Sequence, residues 1–295
     1  MQLSPFIFGT TRLGHGDVPD ERAREVARAA RDAGVWFHTS RQYDDALEIL
    51  GQVYDEDRSR LPPTIYKIGG KDADDVRRVI AQNLEPLKRS SMEIGQLSPT
   101  QGVGAGLVDG SVVRELERIR EEGLVERFVM EVFPWTSPTV LAALRRGHLD
   151  GLVEAYIFYL NPLQRFASND LWDELRARRL PIIAMRTVAG GNVHRLRDVP
   201  GAAWRPYLQE RAGQVAPIFE RSGVAEWSEF CVRFAHSIPG VLATVGATSR
   251  PEGLAELLRH AQSPRPLPSD IVEELFALQR LWSDEVDVQA EPWTM

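Results

Sequence analysis

The chain has 295 residues, 43% of them hydrophobic and 26% charged, which is long enough to bury a core without disulfide or metal staples. Its 35 basic and 42 acidic side chains leave a net charge of −7. That balance excludes nucleic acid or an anionic membrane as a main partner, because both select a basic face.

Cys231 is the only cysteine, so an intramolecular disulfide and a Cys-based zinc site are excluded as well. His15, His148, His194, His236 and His260 show no metal-ligand spacing. The N-terminus lacks a basic n-region and an apolar h-region, and no apolar run approaches the roughly 20 residues that span a bilayer. The expectation is a soluble, cytoplasmic protein.

Strand-like apolar runs begin near Phe6, Val35, Thr64, Met92, Val125, Leu152, Pro181 and Val241. The first seven lie roughly 25–33 residues apart, the length of a strand–helix unit. Their apolar character on both faces suits parallel strands covered on both sides. Amphipathic stretches fill the gaps. Asp20 is placed to cap a helix carrying Ala23, Val26, Ala27 and Ala30 on one face, and Gly34 to end it. Val76, Val79, Ile80, Leu84 and Leu87 form a second stripe. The short Gln101–Gly106 segment reads as a flexible, glycine-rich loop. Ser137-Pro138 reads as N-cap and N1, with Gly147 as the stop, and Ser168 caps the helix of Leu171, Trp172 and Leu175.

The last gap is too long for one crossover and divides into helices over roughly 204–221 and 226–237. A proline-rich connector, Pro264 to Pro268, then leads to a C-terminal helix from Ile271 to Trp282. Eight such units without a composition break predict one domain over 1–295. Its fold class is an α/β (β/α)₈ TIM barrel with extra helices before strand 8 and at the C-terminus. A dinucleotide fold would want Gly-x-Gly-x-x-Gly after the first strand, and Gly9-Thr-Thr-Arg-Leu-Gly14 does not supply it. In a barrel, chemistry belongs at the C-terminal strand ends, which selects His38, Lys67, Ser98, Glu131, Arg186 and Gly246. Lys67 is notable because only Lys67, Lys71 and Lys88 are lysines among 35 basic residues, and lysine, unlike arginine, can give up its proton.

Trp36-Phe-His-Thr-Ser-Arg-Gln-Tyr43, followed by Glu48-Ile-Leu-Gly51, resembles the second-strand motif of the aldo-keto reductase family. Ile65-Tyr-Lys67, Asn161-Pro-Leu, Ile182-Ile-Ala-Met-Arg186-Thr-Val-Ala-Gly190-Gly191 and Val245-Gly-Ala-Thr-Ser-Arg250-Pro-Glu-Gly-Leu254 are similar to later motifs of that family, in order. The resemblance implies NADPH as cofactor and reduction of an aldehyde or ketone of a small molecule. Tyr43 would be the proton donor and Lys67 the group that tunes its pKa. It also implies a cofactor-binding set of Gly246, Thr248, Ser249, Arg250 and Glu256. Pro251 at N1 would leave a helix N-terminus open to phosphate.

Two of the family's four catalytic types are replaced: His38 stands at the aspartate position and Ser98 at the histidine position. Glu131 and Val132 stand where the family holds the nicotinamide carboxamide, and Leu257 where an asparagine is usual. Losing the aspartate strips Lys67 of its counter-ion. Two cations about 4 Å apart would repel by about 4 kcal/mol at an effective dielectric of 20, or roughly three pKa units. His38 is therefore expected to be neutral, and Lys67 either depressed in pKa or paired with a new acid. Glu131 is the natural candidate for that acid, since a lone buried carboxylate needs a partner such as Lys67 or Arg186. Catalysis is assigned to Tyr43, Lys67, His38 and Glu131, with Ser98 and Arg186 in the substrate pocket. The alternatives are a non-redox dehydratase, isomerase or cyclase using His38, Tyr43, Lys67 and Glu131, in one version with Lys67 as a Schiff-base amine, and a catalytically silent binding protein.

Overall fold

The computed structural model describes residues 1–188 and 206–287. The first strand, β1 (Phe6–Gly9), is buried throughout and pairs in parallel on both sides. Helix α1 (Asp20–Asp32) leads into its first neighbour, β2 (Trp36–Thr39). Helix α2 (Ala46–Glu56), β3 (Thr64–Ile68), α3 (Ala73–Leu84) and β4 (Met92–Leu97) follow. Two helices, α4 (Gln101–Asp109) and α5 (Val113–Glu121), precede β5 (Val125–Glu131), and α6 (Ser137–Arg145) precedes β6 (Val153–Asn161). A two-residue strand, β7 (Gln164–Arg165), folds back antiparallel on β6 before α7 (Asn169–Ala177) and β8 (Ile182–Met185). The described chain resumes with α8 (Pro206–Arg221), α9 (Trp227–His236), β9 (Val241–Ala247), α10 (Pro251–Gln262) and α11 (Ser269–Asp287).

Apart from β7 the sheet is parallel, and the pairings of β5 with β6 and of β1 with β9 close it into the expected eight-stranded barrel. Every predicted strand start falls within one residue of an observed one. The reason is local: runs that are apolar on both faces can be satisfied only between a barrel interior and a helix layer. Register, with side chains alternating between faces, then sorts the residues. Ile7, Ile65, Ile94, Val129 and Ile157 share the inner face at mid-barrel. One step of two residues further on come Gly9, His38, Lys67, Gln96, Glu131 and Tyr159. The C-terminal end of the barrel is thus a polar layer resting on an aliphatic one. On the outer face, Phe8 meets Phe37 edge-on with centroids 5.3 Å apart, and Phe37 meets Tyr54 of α2.

Several local expectations are corrected. Pro19, not Asp20, precedes α1; Asp20 and Glu21 instead lie in its first turn and Arg31 in its last, where each charge opposes the helix dipole. Val26 and three alanines face the barrel as anticipated. Ser137 is already helical, preceded by a 3₁₀ turn at Pro134–Thr136, and its hydroxyl donates to the Phe133 carbonyl. Ser168 caps α7 through the Leu171 N–H.

The Gln101–Gly106 segment is helix α4, not a flexible loop. A Cβ on Gly102 would lie 1.9 Å from the Lys71 carbonyl oxygen, and one on Gly104 2.5 Å from that of Pro99, so these glycines serve close packing. The Gly190-Gly191 pair lies outside the described residues.

Candidate active site

The inner-face polar layer is assembled from successive strand ends. Lys67, from β3, and Glu131, the last residue of β5, form an ion pair with Nζ 2.8 Å from Oε1. The Glu131 side chain is 3% exposed, so this cation matters to it: an unpaired buried carboxylate is costly. Burial alone would lower Lys67. The Glu131 carboxylate, with Tyr43 and Tyr159 beyond it, outweighs burial and holds the ammonium above the ordinary lysine value. Of the two options open for Lys67, pairing with a new acid is the one realised. Glu131 takes Lys67 rather than Arg186.

Tyr43 arrives from the loop after β2, half-buried, with Lys67 Nζ 5.8 Å from its ring centre and in reach of its hydroxyl. Burial raises the phenol above its ordinary pKa by more than the neighbouring ammonium lowers it, so Tyr43 stays protonated. His38 is 2% exposed, and its ring centre is 6.2 Å from that of Tyr43. Burial and then the Lys67 charge push it down to about 3, against a smaller opposing effect of Gln96. Its neutral form agrees with the electrostatic expectation. His38 Nε2 lies 2.7 Å from Gln96 Oε1. With the amide so oriented, Nε2 donates and the ring presents a bare Nδ1.

Gln96 is fully buried, and its Nε2 has no hydrogen-bond partner among the described residues. Sequence reasoning missed it. The available signal was a polar residue on the inner face of an apolar strand, two before Ser98 and directly beside Lys67 in register. Tyr159, also missed, gives no such signal, because an aromatic within an apolar strand reads as core. Ser98 is half-buried just past β4, its backbone N–H bonded to the Ile68 carbonyl and its Cβ against Gly69. Arg186 follows β8 with its guanidinium 5.2 Å from the Tyr159 ring centre.

The predicted cofactor residues form the β9–α10 turn. Gly246 is buried, with Leu257 packed beneath it. The Thr248 hydroxyl accepts the Arg250 N–H at 3.1 Å, and no side chain caps α10. With Pro251 at N1, the N–H groups of the first turn that follow it stay open to an anion. Ser249 is half-buried and Arg250 exposed, without an ion pair among the described residues. Glu256 accepts a hydrogen bond from Ser228 of α9 and has His260 Nε2 3.9 Å away.

Glu226, Glu229 and His260 each offer a ligand atom within 4.8 Å of the others, a grouping that sequence spacing does not reveal. Arg259 and Arg233, however, already pair with those two carboxylates at 3.0 and 3.3 Å. A cavity of about 680 Å³ opens at the other, N-terminal end of the barrel, between Met1, Ser4, Trp36, Arg127 and Glu154; none of the candidate residues lines it. No helix among the described residues is long and apolar enough to cross a membrane.

No protein-family model and no curated protein sequence matches the chain. Its fold does match solved structures. An aldo-keto reductase from Bacillus halodurans in its holo form superposes with a TM-score of 0.71 at 14% identity, over 95% of this chain and 98% of that one. An aldo/keto reductase from Klebsiella pneumoniae in complex with NADP and acetate gives 0.68 at 20% identity, over 94% and 92%. A Klebsiella pneumoniae aldo-keto reductase in complex with NADPH gives 0.68 at 19% identity over the same shares. The barrel seen here is the fold of the aldo-keto reductases.

Proposed function

We propose that this chain is an aldo-keto-reductase-type oxidoreductase that reduces the carbonyl group of a small molecule. The observation that carries the reading is the line from Tyr43 through Lys67 to Glu131, with the ion pair at 2.8 Å. A proton donor, a cation beside it and an acid behind the cation are the parts carbonyl reduction needs on the protein side. Here the acid comes from β5 instead of β2, leaving His38 neutral in the vacated place. Tyr43 donates its proton to the carbonyl oxygen while Lys67 stabilises the phenolate left behind. Glu131 keeps Lys67 charged for that task, which argues against an amine nucleophile at this position.

NADPH, when bound, supplies the hydride that goes to the carbonyl carbon. The residues present fit it at the phosphate end, where the α10 N-terminus and Arg250 are free to receive an anion. At the nicotinamide end the contact is altered: Val132 offers no polar atom, while Glu131 can accept from a carboxamide –NH₂. That altered end is what favours a second reading, a non-redox acid–base enzyme on the same cluster.

Titration of the protein with NADPH, followed by quenching of intrinsic fluorescence, separates the two. Saturable binding, and turnover that Tyr43→Phe lowers about 10²–10⁴-fold with cofactor affinity retained, support the reductase. Absence of binding at millimolar NADPH removes it.

A further inference from the structure

We infer that the N-terminal end of the barrel is a second ligand site, which takes a flat aromatic carboxylate and is independent of the reductase reading. The cavity there measures about 680 Å³, inside the roughly 300–1,000 Å³ range of small-molecule sites. Strand starts and the segment Met1–Ser4 line it.

Two of the lining side chains break the pattern of the barrel interior. Side chains alternate along a strand, so Trp36, two residues before His38, and Arg127, two before Val129, both point inward. Each is paired in register with an isoleucine of the neighbouring strand, Trp36 with Ile7 and Arg127 with Ile94. An indole and a guanidinium thus stand where the interior is otherwise aliphatic, and both are half-buried. Neither the Arg127 guanidinium nor the Trp36 indole N–H makes a hydrogen bond among the described residues. The carboxylate beside Arg127, that of exposed Glu126, is 4.0 Å away. A cation drawn into a barrel with so distant a partner is costly, and the anion of a ligand offsets that cost.

The walls of the cavity are fixed. The Ser4 hydroxyl accepts the Trp36 backbone N–H at 3.0 Å and donates to the Phe6 carbonyl, tying the N-terminal segment across the start of β2. On the other side, Phe128 of β5 pairs with Val153 of β6 and Val129 with Ala155, which makes Glu154 the extra residue of a bulge. Bulges re-aim side chains, and this one brings the Glu154 carboxylate to the cavity, 4.0 Å from the Met1 ammonium. Those two charges face each other, and Arg127 is the cation left for a ligand. A carboxylate suits its planar fork, and a ring on the same ligand packs against the indole. Ile65, Val129 and Ile157 stand two residues before Lys67, Glu131 and Tyr159 on their strands and, fully buried, fill the interior between the two ends. What binds at this end therefore does not meet the proton donor.

The test uses 2-naphthoate as probe, followed by calorimetry and saturation-transfer NMR. Wild-type protein is expected to bind it saturably below about 1 mM. Arg127→Gln should weaken binding about 10- to 100-fold, the range for a charge-assisted hydrogen bond, and Tyr43→Phe should leave it unchanged. Methyl 2-naphthoate on the wild-type protein reads the same contact without any substitution, and should bind weaker than the acid by the same factor.

Absence of saturable binding at millimolar probe overturns the inference, as do equal affinities for acid and ester. So does binding kept in Arg127→Gln and lost in Tyr43→Phe, which would place the probe in the barrel mouth. None of these measurements needs NADPH, so failure of the reductase reading leaves the outcome legible.

Discussion

Replacing Glu131 with glutamine keeps the shape of the side chain and deletes the charge 2.8 Å from Lys67 Nζ. At that distance and an effective dielectric of 20, the lost attraction is roughly 6 kcal/mol, or about four pKa units. Lys67 is 20% exposed and Glu131 3%, so water recovers part of it, and a fall of about two units is expected. The direction follows from burial, which lowers Lys67 and is opposed mainly by Glu131. In the native protein the raised lysine pKa contributes stability that is full below the unfolded value and is lost as pH rises through the folded one. In Glu131→Gln the ammonium is left without its counter-ion. The cost, about 3 kcal/mol at neutral pH, shrinks as pH rises through the lowered pKa. A domain of ordinary stability, about 5–15 kcal/mol, survives that loss.

The assay is direct, because a chain with three lysines gives a simple spectrum when labelled with ¹³C at lysine Cε. Lys71 and Lys88 are exposed, unlike Lys67. In the native protein Lys67 should titrate above the ordinary lysine range, and in Glu131→Gln at clearly lower pH than in the native protein. A Lys67 signal that titrates at the same pH in Glu131→Gln as in the native protein would refute the electrostatic account of the pair and, with it, the role given to Glu131.

Three further outcomes are expected. The His38 imidazole, pushed down to about 3, should show no NMR titration near neutral pH. The protein should also lose stability as pH falls below about 6.5, because the unfolded chain takes up a proton the native one refuses, at up to about 1.4 kcal/mol per pH unit. Urea unfolding of wild type against His38→Gln reads that slope, and equal slopes would contradict it. Gly102→Ala, whose Cβ would meet the Lys71 carbonyl oxygen at 1.9 Å, should cost about 2 kcal/mol or more. Gly213→Ala, in open space within α8, should instead gain about 0.5–1 kcal/mol; thermal unfolding distinguishes the signs. Arg186→Gly should raise the melting temperature, with about 1 kcal/mol of backbone strain released at φ +52°. An unchanged or lower value would mean that the guanidinium holds the fold together.

The amino-acid sequence by itself determined the strands, their parallel order and hence the barrel, because apolar runs at the spacing of a strand–helix unit can be buried on both faces in few ways. It also located His38, Lys67 and Glu131 at strand ends, and charge repulsion beside Lys67 pointed to a neutral His38, which burial then enforces. It did not distinguish a loop from a helix at Gln101–Gly106, since glycine lowers helix propensity while the demand for close approach to Lys71 and Pro99 is a contact from elsewhere in the chain. Nor did it identify Gln96 as the partner of His38, 58 residues away, or Tyr159 as the ring between Arg186 and the proton donor. Those assignments depend on which residues share the inner face at the same height, and register between strands decides that. The choice of Lys67 over Arg186 as the partner of Glu131 is of the same kind. Both cations stand at strand ends in the sequence, but β3 delivers Nζ to 2.8 Å, while the left-handed turn after β8 sends the guanidinium over Tyr159.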